Sequence, residues 1–228
     1  MRPLEQLNEA LGHFECASLR GRLPAPGAAP VVSGTIPDAD AKAWLAAIAE
    51  RYFPNTHPQI NVDIVPPPLC RSLVELSAMR RGGLLAEGDL SLRLINGTAQ
   101  LREGDTIKVE VHAPIYAVSI RIDYFSLEGR VQHLWPNEQE KDPTLAAGAS
   151  RIFGEQGAGK VWKAGGAPFG TEMIMVIATP WAMDLGGPRP VVEQSQDYLR
   201  DMRRALVASG PSAEPNTFQT LLVSTRAR

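Results

Sequence analysis

The stretch Leu101–Glu138, "LREGDTIKVEVHAPIYAVSIRIDYFSLEGRVQHLWPNE", contains two runs in which apolar and polar side chains alternate. The apolar positions recur every second residue, at Ile107, Val109 and Val111 and then at Tyr116, Val118, Ile120, Ile122 and Tyr124. Successive side chains of a strand point to opposite faces, so this pattern predicts β-strands with one buried and one wet face. Short strands joined by turns at about ten-residue spacing predict an antiparallel sandwich.

The sequence on either side extends this predicted domain to residues 89–228. "LSLRL" runs into Asn96-Gly97, a hairpin signal, and "TEMIMVIAT" is apolar on both faces, as a central strand is. "VEQSQDYLRDMRRALVAS" predicts a helix with an apolar stripe of Tyr198, Leu199, Met202 and Leu206. "TFQTLLVST" predicts a final strand.

The first part of the chain predicts a small α+β domain at residues 13–76. "ECASLRGRL", "PVVSGTI" and "QINVDIV" predict strands, and Pro66–Pro68 end the last of them because proline cannot donate to a ladder. "PDADAKAWLAAIAERYF" predicts a helix capped by Asp38 or Asp40, with Trp44 and Leu45 on its apolar face. Glycine and charge in "SAMRRGGLLAEGD" predict a linker at 77–88. The predicted fold class is therefore α+β.

The composition excludes several classes of function. The chain has 44% apolar residues, a net charge of -2 and a pI near 6.1, and it lacks the clustered Lys and Arg of a nucleic-acid-binding protein. No stretch approaches the roughly 20 apolar residues that a transmembrane helix needs. The start lacks the apolar run of an export signal, so the chain is either cytoplasmic or an excised portion of an exported protein. The oligomeric state is not indicated.

Two cysteines, Cys16 and Cys70, flank the N-terminal segment. A disulfide between them would close a loop of about fifty residues and imply an oxidising compartment. Two unrelated buried thiols in a cytoplasmic protein fit the spacing equally well. Neither cysteine has the neighbouring ligands of a zinc site, and no cofactor is predicted.

"GEQGAGK", Gly154 to Lys160, resembles the skeleton of a phosphate-binding loop. That chemistry requires a hydroxyl residue after the lysine to hold Mg²⁺, a strand before the loop and a helix after it. Position 161 is Val, and Gly165, Gly166 and Pro168 preclude a following helix. We expect the loop to join two strands, with a nucleotide-binding enzyme as the alternative.

Other chemistry-bearing residues are scattered. His112 and His133 could lie on adjacent strands as a catalytic pair, although solvent-facing histidines are the commoner case. Asp123 is expected on the wet face of its strand, paired with a charge such as that of Arg121. Trp135, in "LWPN", either caps the core or forms a binding surface.

The Leu-Arg-Glu-Gly-Asp turn, the strand carrying Asp123, the "LWPN" sequence and "FGTEMIMVIAT" together resemble the bacterial domain-of-unknown-function family 4384 over residues 83–181. That resemblance implies an accessory module with a sensing, docking or envelope-associated role, attached to machinery such as membrane-anchored kinases. It brings no catalytic residue.

The resemblance further implies an extracytoplasmic location and a protein or envelope partner, and it favours the Cys16–Cys70 disulfide. The candidate binding surface is Tyr116, Asp123, Trp135 and Asn137. A structural part of a secretion or envelope assembly is a further alternative. "VVSGTI", a helix and "INVDIV" also resemble the BON fold.

Overall fold

The computed structural model describes residues 3–13, 19–86, 88–95, 99–155 and 160–228. The chain divides into two compact units, Met1–Ser77 and Ala78–Arg228. Each unit combines helix and strand, so the predicted α+β class is confirmed.

Unit 1 is built on a three-stranded sheet. Its elements in chain order are α1 (Pro3–Leu11), β1 (Leu19–Arg22), β2 (Val31–Ile36), α2 (Asp40–Tyr52), β3 (Gln59–Ile64) and most of α3 (Pro67–Arg81), whose last turn lies beyond the boundary at Ser77. The strand order is β1-β2-β3, with β1 antiparallel to β2 and β2 parallel to β3. Because parallel neighbours need a crossover connection, α2 carries the chain from β2 to β3. The shared core contains Leu7, Leu11, Val32, Ile36, Leu45 and Ala49.

Two features of unit 1 differ from the prediction. The domain was expected to start at residue 13, but α1 precedes that point and buries Leu7 and Leu11. Trp44 is 69% exposed, and the buried side of α2 is carried by Leu45 and Ala49. The expected cap at Asp38 is confirmed, since its Oδ1 accepts the N–H of Ala41 at 2.9 Å.

Helix α3 was missed altogether. Pro67 and Pro68 occupy its first positions, where helix N–H groups have no intrahelical acceptor and proline is tolerated. The sequence pattern predicts only that these prolines end a strand. The predicted linker at 77–88 therefore begins within the last turns of a helix.

Unit 2 contains twelve strands and one helix among its described residues. They are β4 (Ser91–Leu94), β5 (Gln100–Arg102), β6 (Thr106–Ile107), β7 (Val109–His112), β8 (Val118–Phe125), β9 (Arg130–Trp135), β10 (Thr144–Leu145), β11 (Ser150–Phe153), β12 (Trp162–Lys163), β13 (Thr171–Thr179), β14 (Val192–Gln194), α4 (Ser195–Ala208) and β15 (Thr217–Arg226).

These strands form a sandwich. The larger sheet has seven strands in the order β14-β9-β8-β13-β15-β5, with β10 also paired to β8. A second sheet, β11-β7-β4, shares one hydrophobic core with it, and β12 pairs with β6. Side chains from both sheets meet in that core, among them Val109, Val111, Phe153, Val118, Ile120, Ile122, Ile174 and Val176. Among the described strands of unit 2, the pairs are antiparallel except β15–β5, which is parallel, and an isolated parallel bridge joins Ala86 to Thr217.

The larger sheet is buried on both faces around β13. Ile174 and Val176 face the sandwich core, while Met173, Met175 and Ile177 on the opposite face are also fully buried. α4 carries the predicted apolar stripe, and its Tyr198 ring lies 6.3 Å from that of Phe125. The predicted central strand, helix and final strand are confirmed; the expectation that β8 has one wet face is wrong.

A β-bulge lies where β8 meets β9. Asp123 pairs with His133, but Ile122 pairs with Trp135, so Leu134 is an extra residue on β9. Two residues on one strand then oppose one on the other. As a result Leu134 and Trp135 both enter the sandwich core, while His133 lies on the opposite face.

The hairpin expected at Asn96-Gly97 is wrong. Those two residues lie outside the described residues, but the strands on either side belong to different sheets. β4 pairs with β7, and β5 pairs with β15.

Candidate functional site

A buried series of ionisable side chains, which we call the ionic chain, crosses three neighbouring strands of the larger sheet. Asp123 on β8 lies opposite His133 on β9, with 2.7 Å between Asp123 Oδ1 and His133 Nδ1. The other ring nitrogen, Nε2, lies 2.7 Å from Oε1 of Glu193 on β14. Asp123 is 0% exposed and His133 is 7% exposed. A charged side chain is rarely buried so deeply without a partner, and each of these has one.

Helix α4 completes this cluster from above the sheet. Tyr198 donates its hydroxyl hydrogen to Asp123 Oδ2 at 2.5 Å, and its ring packs edge-on against His133 at 4.8 Å. The guanidinium of Arg121 is a neighbour of both Tyr198 and Asp123. The expected exposed position of Asp123 is therefore wrong, because α4 covers the face that the alternation left to solvent.

The protonation state of His133 follows from its two carboxylate neighbours. Burial alone lowers the pKa of an imidazole, but the hydrogen bonds and negative charge of Asp123, together with Glu193, outweigh burial and raise the pKa of His133. Both ring nitrogens then carry hydrogen and donate. An imidazolium held in this way has no lone pair left to act as a general base.

Arg189 extends the ionic chain beyond Glu193. Its Nε donates to Glu193 Oε1 at 2.7 Å, and its Nη2 forms a second, parallel ion pair with Oε2 of the same carboxylate. Nη1 donates to Asp201 Oδ2 on α4 at 2.9 Å. Such bidentate pairs fix orientation as well as charge. The ionic chain thus links α4 to the sheet at two points, through Tyr198 and through Asp201.

A cleft of about 540 Å³ opens beside the ionic chain. We call it the basic cleft and define it by six of its lining residues, Arg121, His133, Asn137, Lys141, Lys160 and Arg189. Pro136, which follows Trp135 through a cis peptide bond, and Pro188 and Pro190 also line it. Its volume lies within the range of small-molecule sites, about 300 to 1,000 Å³.

The predicted binding surface is only partly brought together. Asn137 lines the basic cleft and shapes the turn there: its Nδ2 donates to Leu134 O at 2.9 Å, and its Oδ1 accepts the N–H groups of Gln139 and Glu140. Tyr116 does not line the cleft; its hydroxyl donates to Pro215 O at 2.7 Å. Asp123 does not line the cleft either, and lies in the buried layer behind the cleft wall.

Trp135 belongs to the core, at 2% exposed, and not to the surface. Its ring packs edge-on against Phe153 at 4.9 Å, and the Arg151 guanidinium lies 4.3 Å from the ring centre. The core-capping alternative for this residue agrees with its burial.

Of the two candidate enzyme sites, the histidine pair is not assembled. His112 lies on β7 and His133 on β9, in different sheets, so the expected neighbouring pair is wrong. His112 is exposed, and its Nδ1 lies 3.0 Å from Ser150 Oγ. His133 is buried, contrary to the expectation of a solvent-facing ring.

The Gly154 to Lys160 loop joins two strands, as predicted. β11 ends at Phe153 and β12 begins at Trp162, and residues 156–159 lie outside the described residues. Gly154 has φ +78°, and a Cβ there would lie 2.2 Å from the carbonyl oxygen of Ile107. The first glycine of the motif is therefore explained by close backbone packing.

A second cavity, of about 340 Å³, lies beside β8 and β13. Within it Tyr124 donates its hydroxyl hydrogen to Glu172 Oε2 at 2.5 Å. Burial raises the pKa of Glu172, partly offset by hydrogen bonds from Tyr124 and Thr225. Trp162 also lines this cavity.

Among the described residues, no group of three or more His, Cys, Asp or Glu is arranged to hold a metal ion. No described helix combines the length and apolarity needed to cross a membrane. Cys70 lies in α3 and is 1% exposed, while Cys16 lies outside the described residues, so their pairing stays a prediction.

Sequence reasoning missed Glu193, Arg189 and the polar role of Tyr198. A signal for Tyr198 was present, because a phenol within an apolar helical stripe needs a hydrogen-bond partner when buried. An aspartate facing that stripe from a strand was the obvious partner. Glu193 lies on a short strand, β14, within sequence that was assigned to the helix.

Residues 100–181 match the model of a family described as Domain of unknown function (DUF4384). This confirms the resemblance in the C-terminal half of the chain. The matched segment contains Asp123 and His133, whereas Arg189, Glu193 and Tyr198 follow it. The likeness of the N-terminal segment to the BON fold stays a prediction. No curated protein matches the chain.

Proposed function

We propose that this protein is a non-catalytic binding module that works outside the cytoplasm and holds its ligand in the basic cleft. The observation that carries the proposal is the state of His133 in the cleft wall. Both of its ring nitrogens are occupied by carboxylates, so the ionic chain fixes the wall and does not transfer protons.

The rest of the cleft lining agrees with binding rather than chemistry. The described lining residues include no Ser, Thr or Cys that could serve as a nucleophile. They include three prolines, Pro136, Pro188 and Pro190, whose fixed φ angles restrict the backbone. A restricted, preformed wall lowers the entropy lost when a ligand binds.

The proposal is tested by a fragment screen followed by two-dimensional ¹H–¹⁵N NMR. The panel contains acidic, neutral and basic fragments of similar size. We expect at least one class to shift the amide signals of Asn137, Arg189 and Val191 in a saturable way. If none of the three classes shifts them, the cleft is not a ligand site and the proposal fails.

The extracytoplasmic location rests on the predicted Cys16–Cys70 disulfide and on the resemblance to accessory domains. The burial of Cys70 is consistent with a protected bond. Non-reducing mass spectrometry of protein exported to a bacterial periplasm tests this, and we expect a mass two hydrogens below that of the reduced chain. Two alkylatable thiols after export would remove the main argument for this location.

The proposed partner is another protein or an envelope component, because the resemblance is to modules attached to larger machinery. Crosslinking in cells and affinity capture with the intact chain test this part. Recovery of one stoichiometric partner supports docking, and recovery of a large stable complex supports the alternative of an assembly component. Recovery of neither, with a small molecule bound instead, would limit the module to sensing.

A further inference from the structure

We propose that the basic cleft selects an oxyanion, the carboxylate or phosphate group of an acidic ligand. This inference rests on the proposed function, since it assigns a ligand class to the same cleft. It follows from how charge is distributed between the cleft lining and the layer behind it.

Cations line the basic cleft, and most of the acids that compensate them lie behind it. Arg121, Lys141, Lys160, Arg189 and the protonated His133 are lining residues. Of their counter-ions, Asp123 is buried and Glu193 and Asp201 are partly buried; none of the three lines the cleft, and Glu138 is its one acidic lining residue among those described. A ligand in the cleft lies closer to the cations than to the acids, and clefts with walls of one charge concentrate ligands of the opposite charge.

The Arg121 side chain carries a hydrogen-bond donor that has no acceptor among the described residues. Its Nε is buried and has no hydrogen-bond partner among the described residues, although its guanidinium neighbours Tyr198 and Asp123. A buried donor without an acceptor costs about 1 to 3 kcal/mol. Nε and a terminal nitrogen of arginine form a planar fork that matches two oxygens of a carboxylate or phosphate. An oxyanion that reached this nitrogen would satisfy a donor left without an acceptor among the described residues.

Lys141 and Lys160 carry positive charges that no described acidic side chain neutralises in an ion pair. Both side chains are exposed, and within the part of the chain that the structure describes neither ammonium forms an ion pair. By contrast, Lys108 pairs with Glu155, and Arg151 pairs with Glu140. The two lysines can reach a bound anion without breaking an existing contact.

The experiment measures binding of three probes by NMR titration at low ionic strength: inorganic phosphate, an acetylated and amidated tri-glutamate peptide, and the matching tri-glutamine peptide. The double variant Lys141→Glu/Lys160→Glu reverses the two uncommitted charges. Lys163→Glu is the matched control, because Lys163 is exposed and lines the second cavity instead.

We expect the glutamate peptide or phosphate to shift the cleft signals, and the glutamine peptide to bind at least roughly tenfold more weakly, a factor of ten being 1.4 kcal/mol. The double charge reversal should reduce acidic-probe binding by a similar factor, and Lys163→Glu should leave it within about twofold. Binding by the peptide alone identifies a carboxylate ligand, and binding by phosphate alone identifies a phosphate ligand.

Equal binding of the glutamate and glutamine peptides would overturn the oxyanion proposal while leaving the cleft as a binding site. The same conclusion follows if acidic probes bind the double variant as tightly as the natural sequence. Cleft shifts caused only by neutral or basic fragments would also reject the oxyanion alone. If nothing shifts the cleft signals, both this inference and the proposed function fail.

Discussion

Asp123 shows where alternation along a strand stops being informative. The pattern correctly placed Val118, Ile120 and Ile122 in the core, but a period of two says only that Asp123 lies on the other face. Whether that face is wet depends on what packs over it, and α4 begins more than seventy residues later. The bulge at Leu134 is equally invisible in the sequence, because it depends on the pairing of two strands.

We expect Asp123→Ala to lower the free energy of unfolding by about 3 to 5 kcal/mol, because it leaves the His133 charge and the Tyr198 hydroxyl without a buried partner. Urea denaturation followed by fluorescence measures this. Asp197→Ala is the control, since Asp197 forms an exposed pair with Arg200. Its cost should stay below about 1 kcal/mol. Equal costs for the two variants would contradict a buried ionic chain.

The protonation of His133 predicts a dependence of stability on pH. Its pKa is raised in the folded protein, so the folded state binds this proton more tightly than the unfolded chain does. The contribution is complete below the unfolded pKa of about 6.5 and is lost as pH rises through the folded value. The charged and titratable groups that face it are Asp123, Glu193, Tyr198 and Arg121.

We therefore expect the free energy of unfolding to fall as pH rises above about 6.5, and this slope to flatten in His133→Gln. His112→Gln, at an exposed position, should keep the slope of the natural sequence. Urea denaturation across this pH range gives the answer. An unchanged slope in His133→Gln would mean that another group titrates.

Helices and strands whose apolar residues recur with a clear period were predictable from the sequence. Elements that depend on their place in the fold were not. The α4 stripe and the apolar centre of β13 were predictable from the sequence, because burial on one or both sides leaves a pattern. α3 was missed because its prolines serve equally to end a strand and to begin a helix. β14 has three residues and is too short for periodicity to reveal, whereas α1 carries Leu4, Leu7 and Leu11 on one face and was predictable from that pattern.

The packing of α4 against the sheet predicts a contrast between adjacent residues. Leu206 is 2% exposed and Val207 is 60% exposed. Leu206→Ala should lower the free energy of unfolding by about 2 to 5 kcal/mol, because it removes buried methyl groups and leaves a cavity. Val207→Ala should change it by less than about 0.5 kcal/mol. Thermal or urea unfolding of the two variants tests this, and a larger loss from Val207→Ala would place the stripe on the wrong side.

For the whole molecule, the division into two units predicts a local response to reduction. If Cys16 and Cys70 are bonded, reduction should lower the stability of unit 1 by about 3 kcal/mol. Hydrogen exchange of the intact chain, with and without reductant, should show faster exchange in β2 and α2 and unchanged exchange in β8 and β13. Faster exchange in β13 as well would mean that the units unfold together.

The place of β15 in the larger sheet has a consequence for synthesis. β15 lies between β13 and β5, yet it follows β5 by more than a hundred residues. Until the ribosome has delivered residues 217–226, one edge of β13 has no partner, and that strand is the most apolar in the protein. Long, apolar, unpaired edges pair with other chains. We therefore expect the nascent protein to be prone to aggregation until β15 inserts beside β13.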